Sequence, residues 1–188
     1  MSKIKVGVIG TGFIGPAHIE GLRRLGNIEV AALAESSTEL AESKARLLGI
    51  EEYYGDYKEL LKKKDIQSVH ICSPNYLHYQ MAKEALEAGK HTICEKPLAI
   101  SVAEAEELVD LADKKGVINA VNFNIRYYPL CRQMRTMVEK GDVGDILAVQ
   151  GSYLQDWLFY ATDYNWRLEP GQSGKSRAIA DIGSHWMD

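Results

Sequence analysis

The sequence predicts an α/β fold: a doubly wound, mainly parallel sheet, followed by the opening portion of a second, α+β domain. Three observations lead there. Short β-branched runs alternate with helix-length segments from residue 4 to about residue 121. Several of the helical segments begin on Ser, Asp or Asn and close on Gly, which are cap signals. Near residue 122 the alternation stops and a different rhythm begins. Strands joined by helix-length segments require crossovers, and crossovers make parallel neighbours with helices on both faces.

"IKVGVIG" (4–10) is β-branched and ends on glycine, the profile of a buried strand. "GPAHIEGLRRLG" (15–26) follows with helical spacing and closes on Gly26. "IEVAALAE" (28–35) reads as the second strand, and "STELAESKARLLG" (37–49) as a helix between Ser37 and Gly49. "EYYG" (52–55) is a weaker strand, succeeded by a helix in "DYKELLKKK" (56–64) that opens on Asp56. "SVHICS" (68–73) is the fourth strand, and "NYLHYQMAKEALEAG" (75–89) a helix opening on Asn75. "HTICE" (91–95), "SVAEAEELVDLADKKG" (101–116) and "VINAVN" (117–122) complete the alternation. A first domain is expected over 1–121 and a second over 122–188. In the second, a helix is expected after Pro129, then one long strand within "DVGDILAVQGSYLQDW" (142–157), then an aromatic and polar stretch with little periodicity.

Bulk composition narrows the function. A net charge of −4 gives no general attraction to nucleic-acid phosphates or anionic membranes. The start runs straight into a strand pattern, and no apolar stretch approaches a membrane span, so a cytoplasmic protein is expected. The three cysteines, Cys72, Cys94 and Cys131, are far apart; two end apolar runs and read as buried thiols. Five scattered histidines make no metal-ligand pattern. His18 and His78, on predicted helices, read first as structural, although His78 lies close to the loop after the fourth strand.

"VGVIGTGFIG" sets Gly10, Gly12 and Gly15 in GxGxxG spacing between the first strand and the first helix. In that context the pattern marks a dinucleotide-binding Rossmann turn, formed by Gly10, Thr11, Gly12, Phe13, Ile14 and Gly15. Gly10 allows the tight turn, Gly12 lets a pyrophosphate approach the backbone, and Gly15 allows close helix–strand packing. Exposed N–H groups at the helix start then face the phosphates. Glu35 ends the second strand twenty residues past Gly15, where such a fold carries its ribose-binding acid. A carboxylate there accepts from ribose hydroxyls and repels a 2′-phosphate, and "ESST" brings no basic residue to neutralise one. NAD is therefore favoured over NADP.

Two patterns are decoys. "EPGQSGKS" (169–176) ends like a phosphate loop but has Glu169 where the leading glycine belongs. Tyr-x-x-x-Lys occurs twice, at Tyr54/Lys58 and Tyr79/Lys83, too early in the chain for a short-chain dehydrogenase pair.

After the fourth strand stands "CSPNYLH" and after the fifth "CEKPLAIS". Together with the glycine turn, "VNFNIRYYP", "GDVGDI" and the terminal "SRAIADIGSHWMD", these resemble the Gfo/Idh/MocA oxidoreductases along almost the whole chain. The resemblance implies that Ser73, Pro74 and Asn75, with Glu95, Lys96 and Pro97, line the nicotinamide; His78 is grouped with them. It implies a cis peptide before Pro97 and a catalytic Lys96. It also implies that Asp181 and His185, the family's D-x-x-x-H pair, join Lys96, with His185 as general base, Lys96 stabilising the reacting oxygen and Asp181 binding a substrate hydroxyl or orienting the histidine. The usual double glycine upstream is here Ser173-Gly174.

The implied activity is hydride transfer between nicotinamide and a sugar, polyol or related cyclic alcohol. Two other readings stay open: an NAD-retaining glycoside-cleaving member of the same superfamily, and a non-catalytic dinucleotide-binding module. Family members are longer, so the chain is expected to be an N-terminal portion of a longer enzyme, slow or inactive alone, whose complete form is a homo-oligomer.

Overall fold

The computed structural model describes residues 3–188. The chain divides into two compact units, Met1–Asn122 and Phe123–Asp188.

The first unit is built on a six-stranded sheet of β1 (Ile4–Ile9), β2 (Ile28–Ala34), β3 (Glu52–Tyr54), β4 (Ser68–Ile71), β5 (His91–Glu95) and β6 (Asn119–Asn122). Their order is β3-β2-β1-β4-β5-β6, and every adjoining pair is parallel. The chain winds outward from β1 in one direction and from β4 in the other. The reversal between them opens a crevice at the carboxyl ends of the strands, where open α/β sheets bind ligands.

Alternate residues of each strand serve opposite faces. Val6, Val8 and Leu33 pack with Ile19 and Leu22 of α1 (Gly15–Arg24) and Ala41 and Ala45 of α2 (Thr38–Leu48). Ile9, Ala34, Val69 and Ile71 pack on the other face. There they meet Leu60 of α3 (Tyr57–Leu61), Met81 and Ala85 of α4 (Asn75–Glu87), and Leu108 of α5 (Val102–Lys115). Both faces of the sheet are thus covered, which is why its central strands read as continuous apolar runs.

The cap residues act locally, as expected of them. The Ser37 hydroxyl accepts from the Leu40 N–H at 3.2 Å, the Asp56 carboxylate from Lys58 at 2.9 Å and the Ser101 hydroxyl from Glu104 at 3.3 Å. Gly49 and Gly116 end α2 and α5 in the left-handed conformation. Asn75 departs from the expectation: Pro74 occupies the cap position of α4, so Asn75 is its first helical residue. Tyr79 and Lys83, one of the decoy pairs, both bond Glu107 and so tie α4 to α5.

The second unit contains α6 (Pro129–Glu139), a short α7 (Pro170–Ser173), and a π-helical turn, Ile179–Gly183, running into α8 (Ser184–Met187). The long strand expected over 142–157 does not form. A strand needs a neighbour to pair its backbone, and no strand occurs among the described residues of this unit. Ile146, Leu147, Val149 and Leu154 are instead exposed.

Candidate active site

β1 ends at Ile9 and the chain turns at Gly10, whose φ of +87° favours glycine. A Cβ there would also stand 3.0 Å from the Cys72 carbonyl carbon and oxygen. Gly15 is buried at the start of α1, and a Cβ on it would collide with the Gly10 carbonyl oxygen. Gly12 is exposed, with nothing within 4 Å of its Cβ position. One glycine therefore makes the turn, one lets the helix close on it, and one leaves open space above the backbone. Phe13 is exposed and Ile14 half-buried.

Between Gly10 and Gly12, Thr11 is fully buried. Its N–H donates to Glu35 Oε1 at 2.5 Å and its hydroxyl donates to the same oxygen at 2.6 Å. The Glu35 N–H in turn donates to the Tyr54 carbonyl at 3.0 Å. The acid at the end of β2 is thereby tied to the glycine turn through one oxygen, and Oε2 takes part in neither bond. Cys72 and Cys94 are buried, and burial pushes both thiols up, so neither is a nucleophile.

The loop after β4 carries Ser73 and Pro74 and leads into Asn75 at the start of α4, all half-buried. The Ser73 hydroxyl oxygen is inaccessible to solvent and has no hydrogen-bond partner among the described residues. An orphaned hydroxyl beside a glycine turn fits a bound group that completes its bonding. This orphan and the open space at Gly12 both suit a dinucleotide.

The loop after β5 carries half-buried Lys96 and Pro97, joined by a cis peptide. Two imidazole devices hold it. Behind it, Glu95 is buried; its Oε1 lies 2.9 Å from His18 Nε2 and accepts from Asn122 Nδ2 at 2.5 Å, while Oε2 accepts from the Lys96 N–H at 3.3 Å. His18 Nδ1 lies 2.7 Å from His70 Nδ1. A His70 Nδ1–H donating to His18 Nδ1 and a His18 Nε2–H donating to Glu95 serve those two contacts, and leave the Asn122 amide nitrogen, 3.1 Å from His18 Nε2, to bond Glu95 alone. Burial, then His18, pushes the His70 pKa down to about 4 against the pull of Glu95, consistent with a neutral ring. Burial raises the Glu95 carboxyl, but the bonds from His18, Asn122 and Lys96 outweigh it, and Glu95 settles below the usual range. Ahead of Lys96, His78 is buried beneath both loops, Nδ1 lying 2.6 Å from the Pro97 carbonyl oxygen and Nε2 2.8 Å from that of Ser73.

In the second unit, Asp181 and His185 lie on the turn into α8, half-buried. Arg167 Nε donates to Asp181 Oδ1 at 3.3 Å, and Arg177 Nη1 lies 3.7 Å from Oδ2. The Arg167 guanidinium stacks over the Trp166 ring, 4.5 Å from its centroid. The His185 ring meets Phe123 edge-on, with centroids 5.8 Å apart.

Residues 4–123 match the family profile described as oxidoreductase family, NAD-binding Rossmann fold, under the Gfo/Idh/MocA name. Residues 131–188 match the Gfo/Idh/MocA C-terminal domain. The chain belongs to the Gfo/Idh/MocA family. Among curated Gfo/Idh/MocA relatives it is similar to levoglucosan dehydrogenase of Pseudarthrobacter phenanthrenivorans, at 36% identity over all of this chain and 50% of that protein. It is also similar to 1,5-anhydro-D-fructose reductase of Ensifer adhaerens, at 31% identity over 97% of this chain and 54% of that protein. A solved levoglucosan dehydrogenase in complex with NADH and levoglucosan superposes with a TM-score of 0.94 at 35% identity, covering 99% of this chain and 52% of that one. The chain thus spans about half the length of the relatives it matches.

The Gfo/Idh/MocA motifs found in the sequence fall into two groups. Gly10 to Gly15, Glu35, Ser73 to Asn75, His78 and Glu95 to Pro97 gather in the first unit at or just past strand ends; Asp181 and His185 belong to the second. Sequence reasoning missed His18, His70 and Asn122 around Glu95, and Arg167 and Arg177 around Asp181. A signal existed for His70: a histidine inside a fully buried strand must find a partner.

Proposed function

We propose that the chain serves an NAD-dependent oxidoreductase moving a hydride between nicotinamide and a sugar, polyol or related cyclic alcohol. The carrying observation is the convergence of the Gly10–Gly15 turn with the Ser73–Asn75 and Glu95–Pro97 loops at the carboxyl edge of one parallel sheet. The names of the relatives, a levoglucosan dehydrogenase and a 1,5-anhydro-D-fructose reductase, support a carbohydrate-derived substrate. The same reading takes the complete protein as a cytoplasmic homo-oligomer, which rests on family likeness alone.

The glycine turn would hold the pyrophosphate, and Glu35 the adenosine ribose through Oε2. Bound nicotinamide supplies the hydride acceptor. His185 would take the proton of the reacting hydroxyl, since an imidazole titrates near neutral pH. Lys96 would donate to the reacting oxygen and stabilise its growing negative charge. Asp181, anchored by Arg167 and Arg177, would receive a substrate hydroxyl.

The test is a fluorescence titration of this chain with NADH and NADPH, repeated with Glu35→Ala. NADH should bind more tightly than NADPH, and the substitution should weaken NADH by roughly 10- to 100-fold, the loss of one or two hydrogen bonds to a charged group. Equal binding of NADH by both proteins would remove Glu35 from the site.

A further inference from the structure

His78 makes a demand that the catalytic reading does not use. Its two ring nitrogens stand 2.6 Å and 2.8 Å from carbonyl oxygens, those of Pro97 and Ser73. A carbonyl oxygen only accepts, whereas a neutral imidazole has one N–H and one lone pair. In either neutral tautomer, one ring nitrogen would turn its lone pair on a carbonyl lone pair at hydrogen-bond distance. Only the ring protonated on both nitrogens satisfies both contacts. His78 is 1% exposed, so water cannot relieve the mismatch.

The two carbonyls belong to different loops. Ser73 follows β4, Pro97 follows β5, and His78 lies on α4 between them in sequence. We propose that His78 is a positioning residue for hydride transfer: its imidazolium staples the Ser73 carbonyl to the Pro97 carbonyl and fixes the spacing of the two loops. The staple itself is a statement about this chain's geometry; its effect on the cofactor rests on the functional reading above. Two charged groups face the ring, Glu95 favouring the cation and Lys96 opposing it. Burial lowers the ring's proton affinity and outweighs the upward pull of the two carbonyls and Glu95, so as pH rises the second proton leaves below the ordinary histidine range. When it leaves, one carbonyl loses its donor and one loop is released. NADH affinity therefore falls as pH rises through the ring's titration.

Two measurements on this chain decide it. Nitrogen-15 spectra of the His78 ring, taken without cofactor from about pH 4.5 to about pH 8, read both ring protons directly. Both nitrogens should carry a proton at the acid end, and one should be lost on the way up. NADH titrations over the same interval should show the dissociation constant rising roughly tenfold, the loss of one charge-assisted hydrogen bond. In His78→Gln, which offers a donor to only one carbonyl, binding should match the weak limb of the wild type and lose that pH dependence. A ring with one bare nitrogen throughout would overturn the staple without recourse to any variant. His78→Gln binding NADH with the wild-type strength and pH profile would overturn the positioning role. Failure of the wild type to bind NADH at any pH would overturn both the positioning role and the functional reading above, while the ring spectrum alone would still judge the staple.

Discussion

Gly15 and His70 show how much of this site is decided by single atoms. Adding one methyl at Gly15 drives a Cβ into the Gly10 carbonyl oxygen, a backbone atom that moves only if the turn moves. Gly15→Ala should cost about 1–3 kcal/mol, as overpacking of a close contact does. Urea unfolding should show the loss, with NADH binding weakened alongside; an unchanged midpoint would mean that the helix can slide. His70 acts through protons. Its folded pKa of about 4 lies below the ordinary value of 6.5. The unfolded chain therefore holds the proton more readily, and the stability His70 contributes is full above about pH 6.5 and lost as pH falls through about 4. The difference corresponds to roughly 3 kcal/mol. His70→Gln, which has no titrating ring, should flatten that part of the stability curve in urea titrations; an equally steep acid limb in the variant would remove His70 as its cause.

Among elements, those with local determinants are the ones the sequence reveals. Ser37, Asp56 and Ser101 cap helices from within three residues of their partners, and Gly49 and Gly116 close theirs in the left-handed conformation. The glycine turn was legible for the same reason, since its whole pattern fits between Gly10 and Gly15. Ser101→Ala should cost about 1 kcal/mol, the worth of an N-cap. Faster amide exchange confined to the first turn of α5 would report it; an equal change spread over the sheet would point to another cause. The setting of Glu95 was not legible, because His18, His70 and Asn122 reach it from α1, β4 and β6 only after strand order is known. The segment 142–157 has a strand's sequence but lacks the neighbour that would make it one. Propensity cannot supply a ladder partner.

At the scale of the molecule, the first unit carries both core clusters, whereas α6 and the segment after it leave Leu130, Met134, Leu147 and Leu154 exposed. Backbone without ladder bonds or burial opens most easily to a protease. Limited proteolysis should therefore cut first within 142–165 and leave a fragment containing residues 3–122 that still binds NADH. A first cut inside the sheet, or loss of binding on cleavage, would contradict the division. None of the helices among the described residues is long and apolar enough to cross a membrane.

The bonds from Thr11 to Glu35 also bear on how such a protein can evolve. The acid proposed to exclude a 2′-phosphate is also the partner of a buried backbone N–H and a buried hydroxyl. A lineage exchanging one cofactor for the other cannot replace Glu35 alone without stranding Thr11. The two positions should therefore change together, and Thr11 should tolerate an apolar residue of similar size only in descendants that have already given up the acid.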